Sequence, residues 1–410
     1  MKFDKFPIAQ EIKDNLLENK FFRTTDIQFK AIPPILNGED VLAIAQTGSG
    51  KTAAFAIPII HQIHSFKTSK RSYGIKCLVL VPTRELAQQI GKVFAMLSRH
   101  TKANSFAVYG GVEHDQQIKQ LDGGVDVLIA TPGRMFELIR RNVIDISKVS
   151  TLVLDEADHM LDLGFIDDIK SVKRLLTQRH QTLFFSATIN PKIKKLAYSQ
   201  ISSKALRIQI SPEKMVSKNI KHSLVKVEMD EKRHLLVNVL KENPDLKVMI
   251  FVRTQVRAER VSAHLEKNNI AAITMHGGME QAERDKSLSQ FRKLESGCFI
   301  ATDVTARGID LPLIHLVINY DMPDAPENYV HRIGRTGRGF EKGEAISFCS
   351  SEETQKLADI EEFLQSPIPL MKVNKGQFVP NAVHNEDLSF ADMIAQAEEQ
   401  LKPQKKWKKK

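Results

Sequence analysis

Val41-Leu42-Ala43-Ile44-Ala45-Gln46-Thr47-Gly48-Ser49-Gly50-Lys51-Thr52 decides how this chain is read. A short apolar strand runs into a glycine-rich turn that opens a helix. Such a turn lets backbone N–H groups face a phosphate, and the helix N-terminus adds the positive end of its dipole. The spacing is that of G-x-x-x-x-G-K-[ST], with Ala45 in place of the first glycine. On this reading Thr47, Gly48, Ser49 and Gly50 wrap the phosphates of a nucleotide. Lys51 reaches the β- and γ-phosphates, and Thr52 offers its hydroxyl to Mg2+.

Downstream, Thr151-Leu152-Val153-Leu154 is a second apolar strand, ending in Asp155-Glu156-Ala157-Asp158. Alone, the acids read equally well as helix caps. Paired with a phosphate loop, Asp155 stands where Mg2+ binds, and Glu156 is placed to orient or deprotonate an attacking water.

Outward from these two stretches, short β-branched runs alternate with helical ones. In the first half they are 41–45, 77–81, 105–109, 125–130, 151–155 and 182–186; in the second, 248–252, 271–275, 298–301, 314–319 and 344–349. Continuous apolar strands separated by helices imply mostly parallel sheets covered on both faces, an α/β class. The polar, aperiodic stretch Ser211-Pro212-Glu213-Lys214-Met215-Val216-Ser217-Lys218 divides the halves. The expected division is a first domain over 1–208, a linker over 209–219, a second domain over 220–371 and an extension over 372–410. No sequence repeat relates the halves. In the extension, Ser389-Phe390-Ala391-Asp392 resembles a capping box. Phe390, Ile394, Ala397 and Leu401 share one face of the helix it would start, a face suited to the body or to a protein partner.

Length and composition are consistent with this. The 410 residues call for more than one domain, and 42% apolar content can fill their cores. No apolar run is long enough for a membrane span, and the N-terminus lacks a signal sequence. Cys77, Cys298 and Cys349 form no zinc or disulfide pattern, which fits a reducing cytoplasm. The net charge is +10; six lysines between Lys402 and Lys410 leave a body of only +4. A basic tail suits a polyanion such as nucleic acid, or simply keeps the chain soluble.

With Asp155-Glu156-Ala157-Asp158 in place, residues 3–371 resemble the DEAD-box RNA helicases, whose motifs occur here in the family's order. The resemblance implies two tandem RecA-like domains that close on ATP and single-stranded RNA. Phe21 would pack on adenine and Gln28 would read its edge, although Lys20 and Thr24 stand where the family usually has Gly and Pro. Pro82-Thr83-Arg84-Glu85, Gly110-Gly111 and Thr131-Pro132-Gly133-Arg134 would face RNA, with Pro82, Thr83, Arg84, Gly110, Gly111, Thr131, Gly133 and Arg134 as contacts. From the second half Arg253, Gly277, Arg284 and Thr302 would join them. Asp310 would bind the ATP ribose, and Arg335 and Arg338 would be arginine fingers on the γ-phosphate. Asp158, Ser186, Thr188 and His331 would couple nucleotide state to domain closure.

RNA-stimulated ATP hydrolysis would then drive local opening of short duplexes or remodelling of RNA–protein complexes, with little sequence preference, by a monomer. The compact core and lysine-rich end point to a bacterial member similar to RhlE. An ATP-gated RNA clamp and a DNA translocase of the same superfamily are the alternatives. Intact Lys51, Glu156, Arg335 and Arg338 speak for turnover, and Gln28 for the RNA family.

Overall fold

In the computed structural model, residues 1–371 are described except 46–47, 70, 73, 113, 190, 211–215, 218, 307–310, 312–313 and 338–341. The anticipated loop after Met371 and the helix over 389–401 therefore lie outside the described residues. Residues 1–372 form one compact unit.

Two parallel sheets carry it. The first comprises β1 (Val41–Ile44), β2 (Cys77–Leu80), β3 (Ser105–Val108), β4 (Val127–Ala130), β5 (Thr151–Leu154), β6 (Gln181–Ser186) and β7 (Leu206–Gln209). Its spatial order is β3-β4-β2-β5-β6-β1-β7. The second comprises β8 (Ile220–Lys226), β9 (Lys247–Phe251), β10 (Ala272–Met275), β11 (Gly297–Ala301), β12 (Leu316–Asn319) and β13 (Gly343–Cys349), in the order β10-β11-β9-β12-β13-β8. Numbered from the first strand of each half, six strands run 3-4-2-5-6-1 in both sheets. One topology is therefore present twice without a sequence repeat.

Parallel neighbours need crossover connections, so helices cover the sheets and the strands between them are buried on both faces. β1, β2, β4, β5 and β6 are buried along their whole length. On one face the helix Lys51–Phe66 lays Phe55 between Phe185 and Phe94, at 5.2 and 6.1 Å. Connections of this kind bring the loop after every strand to the same carboxyl edge of its sheet, the edge where α/β folds bind ligands.

Two strands lie outside the apolar runs of the sequence. β7 shows three exposed residues around buried Ile208, and β8 mixes buried, half-buried and exposed positions. Both are end strands of their sheets. An end strand has one open side and so tolerates polar groups. Pro369–Met371 lies along β8: Leu224 N–H donates to Pro369 O at 2.9 Å, and Met371 N–H to Leu224 O at 2.8 Å.

Candidate active site

The phosphate loop is built from positive-φ glycines. Gly48 and Gly50 have φ of 79° and 92°, and Gly50 is the N-cap of the helix Lys51–Phe66. A Cβ on Gly50 would come within 2.5 Å of Gln28 Nε2, so a bare backbone is required there. Lys51 is buried, its Nζ donating to Ala45 O at 2.7 Å, which folds the side chain back over the loop. Ser49 and Thr52 are half-buried beside it; Thr47 lies outside the described residues.

Gln28 ties the preceding segment to this loop. Its Nε2 donates to Gly50 O at 3.2 Å, and its Oε1 accepts from Thr25 N–H at 3.0 Å. Thr25 and Gln28 form a reciprocal capping box on the helix Asp26–Leu36. Phe21 stands 38% exposed, open to a planar ligand.

β5 delivers the acids. Asp155 is buried, and its Oδ1 accepts from Glu156 N–H at 3.0 Å. Burial, aided by the charges of Glu156 and Asp158, pushes its carboxyl up to about 7 against the pull of Lys51. Glu156 adopts φ of 50°, a left-handed conformation that a non-glycine residue seldom takes. Burial would raise its carboxyl too. The His159 ring 3.5 Å away, then Lys51 and Arg335, outweigh that and hold it at about 2, so it is a carboxylate at neutral pH.

Asp158 clamps the turn after β6. Its Oδ2 accepts from Ala187 N–H at 3.1 Å, Thr188 N–H at 3.0 Å and Thr188 Oγ1 at 3.1 Å. Ser186 Oγ donates to Thr188 O at 2.8 Å within the same turn.

Among the described residues no cluster of His, Cys, Asp or Glu forms a protein-only metal cage. Mg2+ bound with a nucleotide needs none, since it keeps waters and takes one or two carboxylates plus phosphate oxygens. Asp155 and Thr52 supply oxygen donors of that kind, and a dication would relieve the opposed charge on Asp155.

From the second half, buried Arg335 brings its guanidinium near enough to lower the Glu156 carboxyl. Its Nε donates to His331 O at 3.3 Å, at the end of the helix Pro326–Ile333. Its neighbour Arg332 is wholly buried, with two bonds to Asp303 at 2.5 and 2.8 Å, and lies 5.1 Å from the Phe251 ring. Arg332 is thus a packing element within a motif otherwise read as catalytic. Arg338 and Asp310 lie outside the described residues.

The residues expected at RNA fall into two groups. Arg84, Gly110 and Gly111 come together with Arg284: a Cβ on Gly111 would collide with the Arg84 guanidinium. Arg84 Nη1 donates to Gln281 Oε1 at 3.1 Å, and Arg284 Nη1 reaches the same oxygen at 3.4 Å. Arg284 also pairs with Glu85, joining the two halves. Thr83 caps its helix, its Oγ1 accepting from Leu86 N–H at 3.3 Å, beside buried Pro82.

The others serve their own half. Arg134 is buried and donates to Val112 O at 3.0 Å, behind Thr131 and the open Gly133. Thr302 is buried against Thr305, with their hydroxyls 3.0 Å apart, and Gly277 lies near Gln255. Arg253 is held by Glu353 at 3.0 Å and Asp324 at 3.6 Å. Nothing local in the sequence marks a role for Glu85, Gln281 or His159. They became visible only through their partners.

The sequence pattern of the DEAD/DEAH box helicases matches residues 25–196, and that of the helicase conserved C-terminal domain matches 231–339. The ATP-dependent RNA helicase RhlB of Shewanella amazonensis is 37% identical over 382 residues, covering 92% of this chain and 87% of its own length. RhlB of Shewanella piezotolerans is 38% identical over 95% of this chain and 91% of its own. Both carry the RhlB name, not the RhlE name that the core and tail pointed to. S. cerevisiae Dbp5 bound to RNA and ADP BeF3 superimposes with a TM-score of 0.81 at 30% identity, over 91% of this chain and 95% of that one.

Proposed function

The chain belongs to the DEAD-box ATP-dependent RNA helicases, and from that premise we propose that it hydrolyses ATP at a site its two halves complete by closing around the nucleotide, a closed state that RNA favours. The observation carrying this reading is that Lys51 and Glu156 come from the first half, whereas Arg335, buried close to Glu156, comes from the second. Neither half holds all three.

In this reading Lys51 and the loop amides grip the β- and γ-phosphates, and Gln28 sets the adenine against Phe21. Glu156 accepts a proton from, or aligns, the water that attacks the γ-phosphate. Arg335, with Arg338, meets the charge that builds on the transferred group; such arginines contribute on the order of 10³–10⁵ in rate. Asp155 and Thr52 would hold Mg2+, which would supply positive charge against the phosphates. Asp158, through the turn Ser186–Thr188, passes nucleotide state towards His331.

RNA contacts on both halves favour the same closed state, so RNA and ATP tighten each other reciprocally. A strand bent in the closed groove cannot remain in a duplex, so a few base pairs open. Backbone contacts give little sequence preference. We assign the first domain to 1–208 and the second to 220–371, acting as a monomer in the cytoplasm. The lysines of 402–410 add non-specific affinity for RNA. Among the described residues no helix is long and apolar enough to cross a membrane.

The test is ATP hydrolysis with and without single-stranded RNA or DNA, on the wild type and on Glu156→Gln. The expected result is stimulation by RNA alone, and a variant that is inactive yet still binds RNA with ATP. Equal stimulation by DNA would move the protein to the translocase reading. Binding without turnover in the wild type would make it a clamp.

A further inference from the structure

Because the halves share one strand order, the first site has a topological counterpart in the second half. The helix after β1 opens on Lys51; the helix after β8, Lys232–Glu242, also opens on a lysine. Asp155 follows β5 directly, and Tyr320 directly follows β12, its counterpart. Lys232 is wholly buried and donates Nζ to Tyr320 O at 2.8 Å.

What faces Lys232 is Glu353, 2% exposed, from the turn after β13. Its Oε2 accepts from Lys232 Nζ at 2.5 Å, and from Ser350 N–H and Ser350 Oγ at 3.2 Å each. Its Oε1 accepts from Met322 N–H and Arg253 Nη2, both at 3.0 Å. A lysine, an arginine, a hydroxyl and two backbone amides thus converge on one buried carboxylate. Proteins use that donor set for phosphate and similar oxyanions.

We propose that the second half retains an oxyanion cradle in the place of the first half's phosphate loop, and that Glu353 is its resident anion. The carboxylate keeps a nucleotide phosphate out, so each chain takes one nucleotide and the second half contributes only its arginines. Removing the carboxylate leaves a receptor for a small oxyanion. The inference rests on the Lys232–Glu353 geometry and not on the role given to Lys51.

The test uses the full chain with Glu353→Ala and sodium acetate, which supplies the two carbons and two oxygens removed. Thermal midpoints are titrated with acetate against sodium chloride of equal ionic strength. The variant should melt below the wild type. It should recover by about 5–10 °C, saturably, at 100-fold excess over Kd. The wild type and the apolar pair Lys232→Met/Glu353→Leu should respond alike to both salts. The same acetate response in all three proteins overturns the proposal. Should Glu353→Ala be recovered only unfolded, its refolding yield from urea is read in acetate against chloride, and equal yields overturn it. No nucleotide enters the measurement, so its failure leaves the ATPase reading standing.

Discussion

Glu85 and Arg284 form an ion pair across the two halves, with side chains only 5% and 14% exposed. Arg284 shares the Gln281 oxygen with Arg84, so one cluster draws an arginine from each half. Residues expected to touch RNA thus also touch each other, and closure and RNA binding use the same side chains. Breaking a close charge pair by removing one partner costs about 2–5 kcal/mol. Glu85→Gln should therefore lower kcat/KM for RNA-stimulated hydrolysis by at least about tenfold, with basal hydrolysis little changed. The swap Glu85→Arg/Arg284→Glu should recover part of the loss. A swap that recovers nothing would place the Arg284 charge on RNA and not on Glu85.

Gln28 has two jobs that substitution can separate. Gln28→Ala removes half of a capping box and should cost roughly 1 kcal/mol in urea unfolding without nucleotide, besides raising KM for ATP. Gln28→Glu keeps an oxygen for Thr25 N–H and removes the donor to Gly50 O. It should restore stability without restoring KM. If both variants restore or both fail together, the cap and the nucleotide contact are not separable.

His222 makes the second half sensitive to acid. Its Nδ1 lies 2.8 Å from the Tyr329 hydroxyl, and burial lowers its pKa below the ordinary 6.5. The unfolded chain therefore binds a proton more readily, and stability falls as pH drops from 6.5 towards the lowered value, levelling off beneath it. His61, lowered by burial and by His64, adds in the same direction. Thermal melts between pH 7.5 and 5 should show the loss, and His222→Gln should reduce it. An unchanged slope in the variant would remove His222 as the cause.

Arg332 and Arg335, three residues apart, should fail in different ways. Arg335→Ala should cut RNA-stimulated hydrolysis by about 10³ while leaving the melting temperature alone. Arg332→Lys cannot keep both bonds to Asp303 and should lower stability by about 3 kcal/mol or more. Circular dichroism melts beside steady-state rates distinguish the two. An Arg332→Lys protein that is stable but inactive would reverse the assignment.

How far the sequence could be read depended on the range of the interaction. The Gly48–Thr52 loop and Asp155-Glu156 were legible because one strand and the turn after it hold the whole device. β7 and β8 were not, because Arg207 and Gln209 in one and Lys221, His222 and Ser223 in the other interrupt the apolar run. Arg84 and Arg284 were placed in the right region, but their shared acceptor, Gln281, had no local mark. Lys232 and Glu353 lie 121 positions apart, and nothing near either announces the other. The doubled strand order left no sequence repeat, since layer packing constrains topology far more than residue identity; only the resemblance to tandem RecA-like domains announced it.

The two sheets end and begin close together in the chain: β7 stops at Gln209 and β8 starts at Ile220. Whatever path the intervening residues take, so short a tether keeps the arginine-bearing half at an effective concentration of order millimolar around the phosphate loop. The cluster that joins the halves therefore need not bind tightly. A contact too feeble to hold two separate proteins together suffices here, and a machine that must let go after each ATP benefits from a grip that is weak by itself and strong only through tethering.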